Sequence, residues 1–150
     1  MIRPFNPAQL GVLVLLALVP IFAACAGGES EPAGPEELAR AWSRALNDDD
    51  NEAASALFAV GARIEQPGLV IRVRTPGDAA LWTGSLPCAG RIVAVEINGD
   101  QAIATFMLSD RKSSRCDAPG GRVKALFRAQ DGKIVLFRQL PGETPPADAV

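Results

Sequence analysis

Arg138 is the side chain most able to do chemistry in this chain. It lies in Lys133-Ile-Val-Leu-Phe-Arg-Gln-Leu140, where strand alternation puts it on one face with Ile134, Leu136 and Leu140. A charge on an apolar face must be paired or solvated. Arg138 could anchor a carboxylate or phosphate of a ligand. It could equally pair with Glu65, Glu96 or Asp78, or snorkel to a rim. With Glu65, Trp82 and Met107 it makes up the candidate ligand-binding set. The chain contains no His and no Tyr, so the commonest general base and metal ligand and the usual phenol donor are missing. Acid–base work would fall to Asp or Glu beside Arg. Binding is therefore expected rather than catalysis, with no cofactor and no metal. The acidic run Asp48-Asp49-Asp50 invites a calcium reading, but it lacks the ligand spacing, the glycine and the distal Glu of an EF-hand loop. Capping of a following helix accounts for it better.

With 150 residues and a formal charge of −2, the chain has room for one ordinary domain and no large basic excess, so nucleic acid is not an expected partner. Residues 1–24 read as a signal peptide. Arg3 precedes a continuously apolar run from Leu10 to Ala24, about 15 residues long and short of the ~20 that span a bilayer. Ala23-Ala24-Cys25 resembles a bacterial lipobox, with Phe22 where Leu is usual, and the alternative is an ordinary secretory signal or an uncleaved anchor. Lipidation of Cys25 would hold the protein on the membrane from outside the cytoplasm. Residues 25–34 read as a Gly/Pro/Ser-rich tether, 35–140 as the folded domain and 141–150 as a disordered Pro-rich tail.

The domain begins with a helical stripe of Leu38, Ala41, Trp42, Ala45 and Leu46 behind Pro35-Glu36-Glu37, a favoured helix start. Trp42 belongs to the core on this spacing. A short helix from Glu52 to about Ala59 precedes Gly61. Two short strands, Ala62–Gln66 and Leu69–Arg74, flank Pro67-Gly68. Thr75-Pro76-Gly77-Asp78 then starts a third helix carrying Trp82, with Asp78 in a box-like capping role. Two hairpins follow. Asn98-Gly99 joins the first, so that Ile97 faces Asp100, Val95 faces Ala102 and Val93 faces Ala104, with Met107 on the opposite face. Asp131-Gly132 joins the second, with Arg138 opposite Ala125.

If Cys25 is lipidated, the exported domain keeps Cys88 and Cys116, and pairing is their expected state in an oxidising compartment. Closing a loop of roughly 28 residues contributes on the order of 3.5 kcal/mol on the chain-entropy account.

The order of these elements, with the Leu38-Ala-Arg-Ala-Trp42 helix, the Asp run, Ala56-Leu-Phe-Ala59 with Gly61-Ala62, Gly90-Arg-Ile-Val93 and Asp131-Gly-Lys-Ile-Val135, resembles the nuclear transport factor 2-like (SnoaL-like) superfamily. Leu86-Pro-Cys88 with Arg115-Cys-Asp117 is similar to an exported bacterial subgroup. The resemblance implies an α+β, cystatin-like cone, with N-terminal helices packed on a curved antiparallel sheet around a pocket. It implies a binding or catalytic fold, but the Tyr- and His-dependent sites of its isomerases and cyclases have no counterpart here. The expected protein is an envelope lipoprotein presenting a non-catalytic domain for a small apolar or anionic ligand. The alternatives are an enzyme using Asp or Glu with Arg, and a module that homodimerises through an outer sheet face bearing Leu126, Val135 and Phe137.

Overall fold

The computed structural model describes residues 31–142. The signal-type segment, Cys25, most of the tether and the tail beyond 142 lie outside the described residues. Three helices, α1 (Pro35–Asn47), α2 (Asn51–Ala56) and α3 (Pro76–Ser85), accompany six strands: β1 (Phe58–Gln66), β2 (Leu69–Arg72), β3 (Cys88–Asn98), β4 (Gln101–Asp110), β5 (Arg122–Gln130) and β6 (Lys133–Gln139). The strands form one curved, unclosed sheet in the order β2-β1-β6-β5-β4-β3. Only β1 and β6 run parallel. No helix among the described residues is long and apolar enough to cross a membrane.

Local chemistry starts the helices as expected. Glu37 Oε2 accepts from Gly34 N at 3.1 Å ahead of Pro35. Asp78 Oδ2 accepts from Arg74 N at 2.8 Å and Thr75 N at 2.9 Å, so Asp78 is occupied by the start of α3. The second helix is shorter than its sequence suggests. It stops at Ala56 because Phe58 already pairs with Ile134 of β6, and Gly61, at φ +89, lies inside β1 where the register with β6 shifts.

The hairpin registers differ from the sequence reading in an informative way. In the first, the turn centres on Gly99-Asp100 rather than Asn98-Gly99: Asn98 pairs Gln101, Ile97 pairs Ala102 and Val95 pairs Ala104. Gly99 has φ +60 and takes the first central position, as in a type II′ turn. A bulge at Val93 then brings Ile92, not Val93, to the core side, opposite Phe106. In the second, Asp131 (φ 51) and Gly132 (φ 71) form the expected turn, but a bulge next to Val135 inverts the rest of β6. Phe137 faces Phe127 inside, while Arg138 pairs Leu126 on the outside rather than Ala125. Phe137 is therefore a core residue, 4% exposed, and not part of an outer dimerisation face.

The core gathers around Trp42. Its ring stacks on Trp82 at 5.8 Å and meets Phe106, Phe127 and Phe137 at 5.9, 5.7 and 5.3 Å. The Cys88–Cys116 disulfide is formed and ties the start of β3 to the loop after β4.

That loop also supplies a charged clamp absent from the sequence reading. Arg111, 6% exposed, donates to Asp49 Oδ1 (2.6 Å), Asn51 Oδ1 (2.7 Å), Thr83 O (2.7 Å) and Leu86 O (3.2 Å). Asp49, held at φ 58, also accepts from Ser113 N at 2.6 Å. Each member of the acidic run thus has its own partner. Asp48 meets Lys112, Asp49 meets Arg111, and Asp50 caps α2 through Ala53 N.

The clamp makes the fold sensitive to one side chain. Arg111→Met leaves the Asp49 carboxylate without its counter-charge and takes the guanidinium donor from Leu86 O and Asn51 Oδ1, and should lower Tm by more than about 10 °C in a thermal melt. Arg111→Lys should recover only part, because one ammonium cannot reproduce the planar fork. Acid should act through the carboxylates. Withdrawal from solvent pushes the Asp49 carboxyl up, but the hydrogen bonds from Arg111 and Ser113 outweigh it and leave it lowered. The bond from Arg138 lowers Glu65, and the backbone bonds from Thr75 and Arg74 lower Asp78. A carboxylate lowered in the folded state contributes stability above its unfolded pKa and loses it as pH falls through the folded value. Tm should therefore be flat from about pH 8 to about pH 5 and fall below about pH 4. Asp78→Asn should reduce that acid-side slope.

Candidate functional site: an apolar cavity

A cavity of about 250 Å³ opens between α1, the inner faces of β4, β5 and β6, and the segment that carries the disulfide. Trp42 and Leu46 form the helical wall, and Phe106, Val123 and Phe137 the sheet wall. Leu86, Pro87 and Cys88 form the lip, with Asp117 and Lys124 also bordering the space. The size suits a small molecule. A dry cavity of about 150 Å³ accepts benzene, so this one takes on the order of ten heavy atoms.

One polar feature is built into the wall. Trp82 Nε1 donates to Gln66 Oε1 at 2.7 Å, and Gln66 Nε2 donates to Gln139 Oε1 at 2.9 Å. Both amides line the cavity. The direction of this chain is set by Trp82, which can only donate; Gln66 must present its oxygen to it and its nitrogen to Gln139. Trp42, also on the cavity, has an indole N–H with no acceptor among the described residues.

Chemistry at the lip is limited by covalent bonding. Cys88, Cys116 and Asp117 bring their ligand-type atoms within 4.8 Å of one another, but the two sulfurs are joined and leave no thiolate to hold a metal. The 3.2 Å approach of Asp117 Oδ1 to Cys88 Sγ is a contact, since a disulfide sulfur carries no proton. The three carboxylates with shifted acidity, Asp49, Glu65 and Asp78, are all held in the ionised form, and none of them borders the cavity.

The structure disperses the residues singled out from sequence. Arg138 is on the outer face with its side chain 48% exposed, paired with Glu65, whose other oxygen meets Arg63 at 2.9 Å. The ion pair with Glu65 is thus the arrangement present, on the outer face rather than inside, and Glu65 raises the already high Arg138 pKa further. Met107 is also outside, with its sulfur 3.5 Å from Arg91 Nη2. Trp82 reaches the cavity only through Gln66. The residues missed were Gln66, Gln139 and Trp42. Gln66 was readable, because it continues the inward alternation of Ala62 and Ile64. Gln139 was not, because its direction depends on the β6 bulge.

No family model matches the chain, and no curated protein matches it. Solved structures do match. A candidate polyketide cyclase from Sinorhizobium meliloti is 18% identical, with 69% of this chain and 93% of that one covered and a TM-score of 0.59. A nuclear transport factor 2-like protein of unknown function from Cytophaga hutchinsonii is 10% identical, covering 75% and 92%, with a TM-score of 0.61. A hypothetical protein with a ketosteroid isomerase-like fold from Catenulispora acidiphila, solved in complex with trimethylamine, is 17% identical, covering 74% and 88%, with a TM-score of 0.55. At these identities the likeness is one of fold. Helices on a curved six-stranded sheet, with a cavity between the layers, make this a domain of the nuclear transport factor 2-like, SnoaL-like fold.

Proposed function

We propose that the chain is a lipoprotein, anchored through Cys25 on the outer side of a membrane, whose domain binds a small and largely apolar molecule without converting it. The observation that carries the binding reading is the cavity wall: aromatic and aliphatic surface with one oriented amide pair, Gln66 and Gln139. Such a wall suits a ligand with an apolar body and a single polar group that exchanges hydrogen bonds with an amide. A non-catalytic role is supported by the protonation states. A general acid or base needs a pKa tuned toward the working pH, whereas the shifted carboxylates here move the other way and lie elsewhere. Export is supported by the apolar run before Ala23-Ala24-Cys25 and by a disulfide, which persists in oxidising compartments.

Native mass spectrometry of the full chain, purified from its membrane fraction in mild detergent, should show a co-purifying small molecule and a diacylglyceryl mass on Cys25. Ala125 is 3% exposed on the cavity wall, and Ala125→Leu should expel the small molecule while the protein stays folded. Retention of that molecule by Ala125→Leu would reject the cavity as its site. Cys25→Ala should remove the lipid mass and leave ligand retention intact. Gln66→Leu should cost about 1–2 kcal/mol in urea unfolding by stranding the Trp82 indole N–H. Gln66→Glu, which keeps an acceptor, should cost less.

A further inference from the structure

The chain is slightly acidic overall, yet its charges are sorted by face. The strand registers place Arg63, Arg72, Arg122, Lys124, Arg128 and Arg138 on the side of the sheet turned away from the helices. Among the described residues the strand registers place Glu65 and Glu96 with them, and Arg91 at the β3 edge extends the cationic side. Among the described residues this face carries five more cations than acids, although the described residues as a whole are balanced in formal charge. The cations are spread over β1, β2, β3, β5 and β6 rather than converging on one pocket. Half-buried Ile103 and Leu126 lie among them. A groove of about 570 Å³ on the same face is bordered by Thr105, Arg122 and Lys124, with Glu96 as its one acid among the described residues.

From this sorting we propose that the outer face of the sheet docks on an anionic phospholipid surface. A second copy of the chain is a poor occupant, because isologous pairing would set two faces of the same sign against each other. A discrete acidic peptide would call for clustered arginines in a cleft, whereas a lipid surface presents phosphates at many points and matches a broad distribution. The placement rests on the tethering reading above. Residues 25–34 span at most about 35 Å when extended, so an anchored domain stays close to headgroups. The chain enters the domain beside the β5–β6 turn: Pro32 Cβ and Ala33 N lie 3.5 Å from where a Gly132 Cβ would stand, and Arg128 lies in β5 two residues before that strand ends.

The experiment uses residues 31–150, which contain every helix, strand and core residue among the described residues, together with the disulfide, and so fold as a unit without the anchor. Its outcome is therefore independent of Cys25 lipidation and of ligand binding in the cavity. Co-sedimentation is measured with vesicles of phosphatidylcholine alone and with about one-third phosphatidylglycerol. Binding is expected only to the anionic vesicles, and it should disappear between about 50 mM and about 500 mM salt. The double variant Arg122→Gln/Arg128→Gln should weaken it on the order of tenfold. Arg40→Gln/Arg44→Gln, which removes the same charge from α1, should leave it within about twofold. Absence of binding to anionic vesicles at low salt, or equal losses in the two double variants, would overturn the proposal. Capture by soluble polyglutamate without binding to vesicles would also overturn it, in favour of an acidic macromolecule.

Discussion

The buried guanidinium of Arg111 is the constraint on which the arrangement of this domain depends. Three segments far apart in sequence converge on it: the α1–α2 turn through Asp49 and Asn51, the end of α3 through Thr83, and the entry to β3 through Leu86. Without it the Asp49 carboxylate would lose its counter-charge and Leu86 O its donor. Burying an isolated charge is costly, and a planar donor that fills several acceptors at once is the arrangement that offsets the cost. The consequence is positional. Arg111 directly follows β4, and Cys116, five residues on, is bonded to Cys88. Charge clamp and disulfide therefore pin the same loop from two sides and hold it against the Leu86–Cys88 segment, which forms the lip of the cavity.

The cavity exists because the aromatic core is incomplete on one side. Trp42 is packed by Trp82, Phe106, Phe127 and Phe137, yet it still borders open space, next to small residues on the facing strands. Ala125, Ala89 and Gly90 line the same volume. Larger side chains there would close it. Gly90 is further constrained, since a Cβ would come within 3.1 Å of the Met107 carbonyl oxygen, and its own carbonyl accepts from Ser43 Oγ at 2.7 Å. The close approach of α1 to β3 and the open space beside it thus come from the same run of small residues.

Sequence reasoning recovered what depends on local chemistry and lost what depends on a single inserted residue. Helix starts, the Asp131-Gly132 turn, the cysteine pair and the core role of Trp42 follow from residue type at short range, and the structure places them accordingly. Strand faces are read by counting in twos, and one bulge inverts every residue beyond it. The bulge beside Val135 moved Arg138 outward and turned Phe137 and Gln139 inward, exchanging the candidate ligand anchor for the residues that line the cavity. The bulge at Val93 did the same to Ile92. Arg111 was invisible for another reason: its partners are 25 to 62 positions away, and an arginine in a polar loop gives no sign of burial.

These inversions also explain why one sheet can present two unlike faces. With unbroken alternation, Arg138 would sit over the aromatic cluster, where a guanidinium would need a buried carboxylate and the cavity would hold an ion pair. With the bulge, Arg138 meets Glu65 in the row Ile103–Leu126–Arg138–Glu65 that crosses the outer surface, while the inner row at the same level is carried by Phe127, Phe137 and Ile64. Glu65 is then shared between Arg63 and Arg138, one carboxylate offsetting two cations. Among the described residues the strands place one other acid, Glu96, at an outward position, so the rest of the outer face keeps its positive excess. The inward turn of Phe137 and the outward turn of Arg138 are thus consequences of the same backbone irregularity. A change that restored regular pairing in β6 would alter the cavity and the outer charge together.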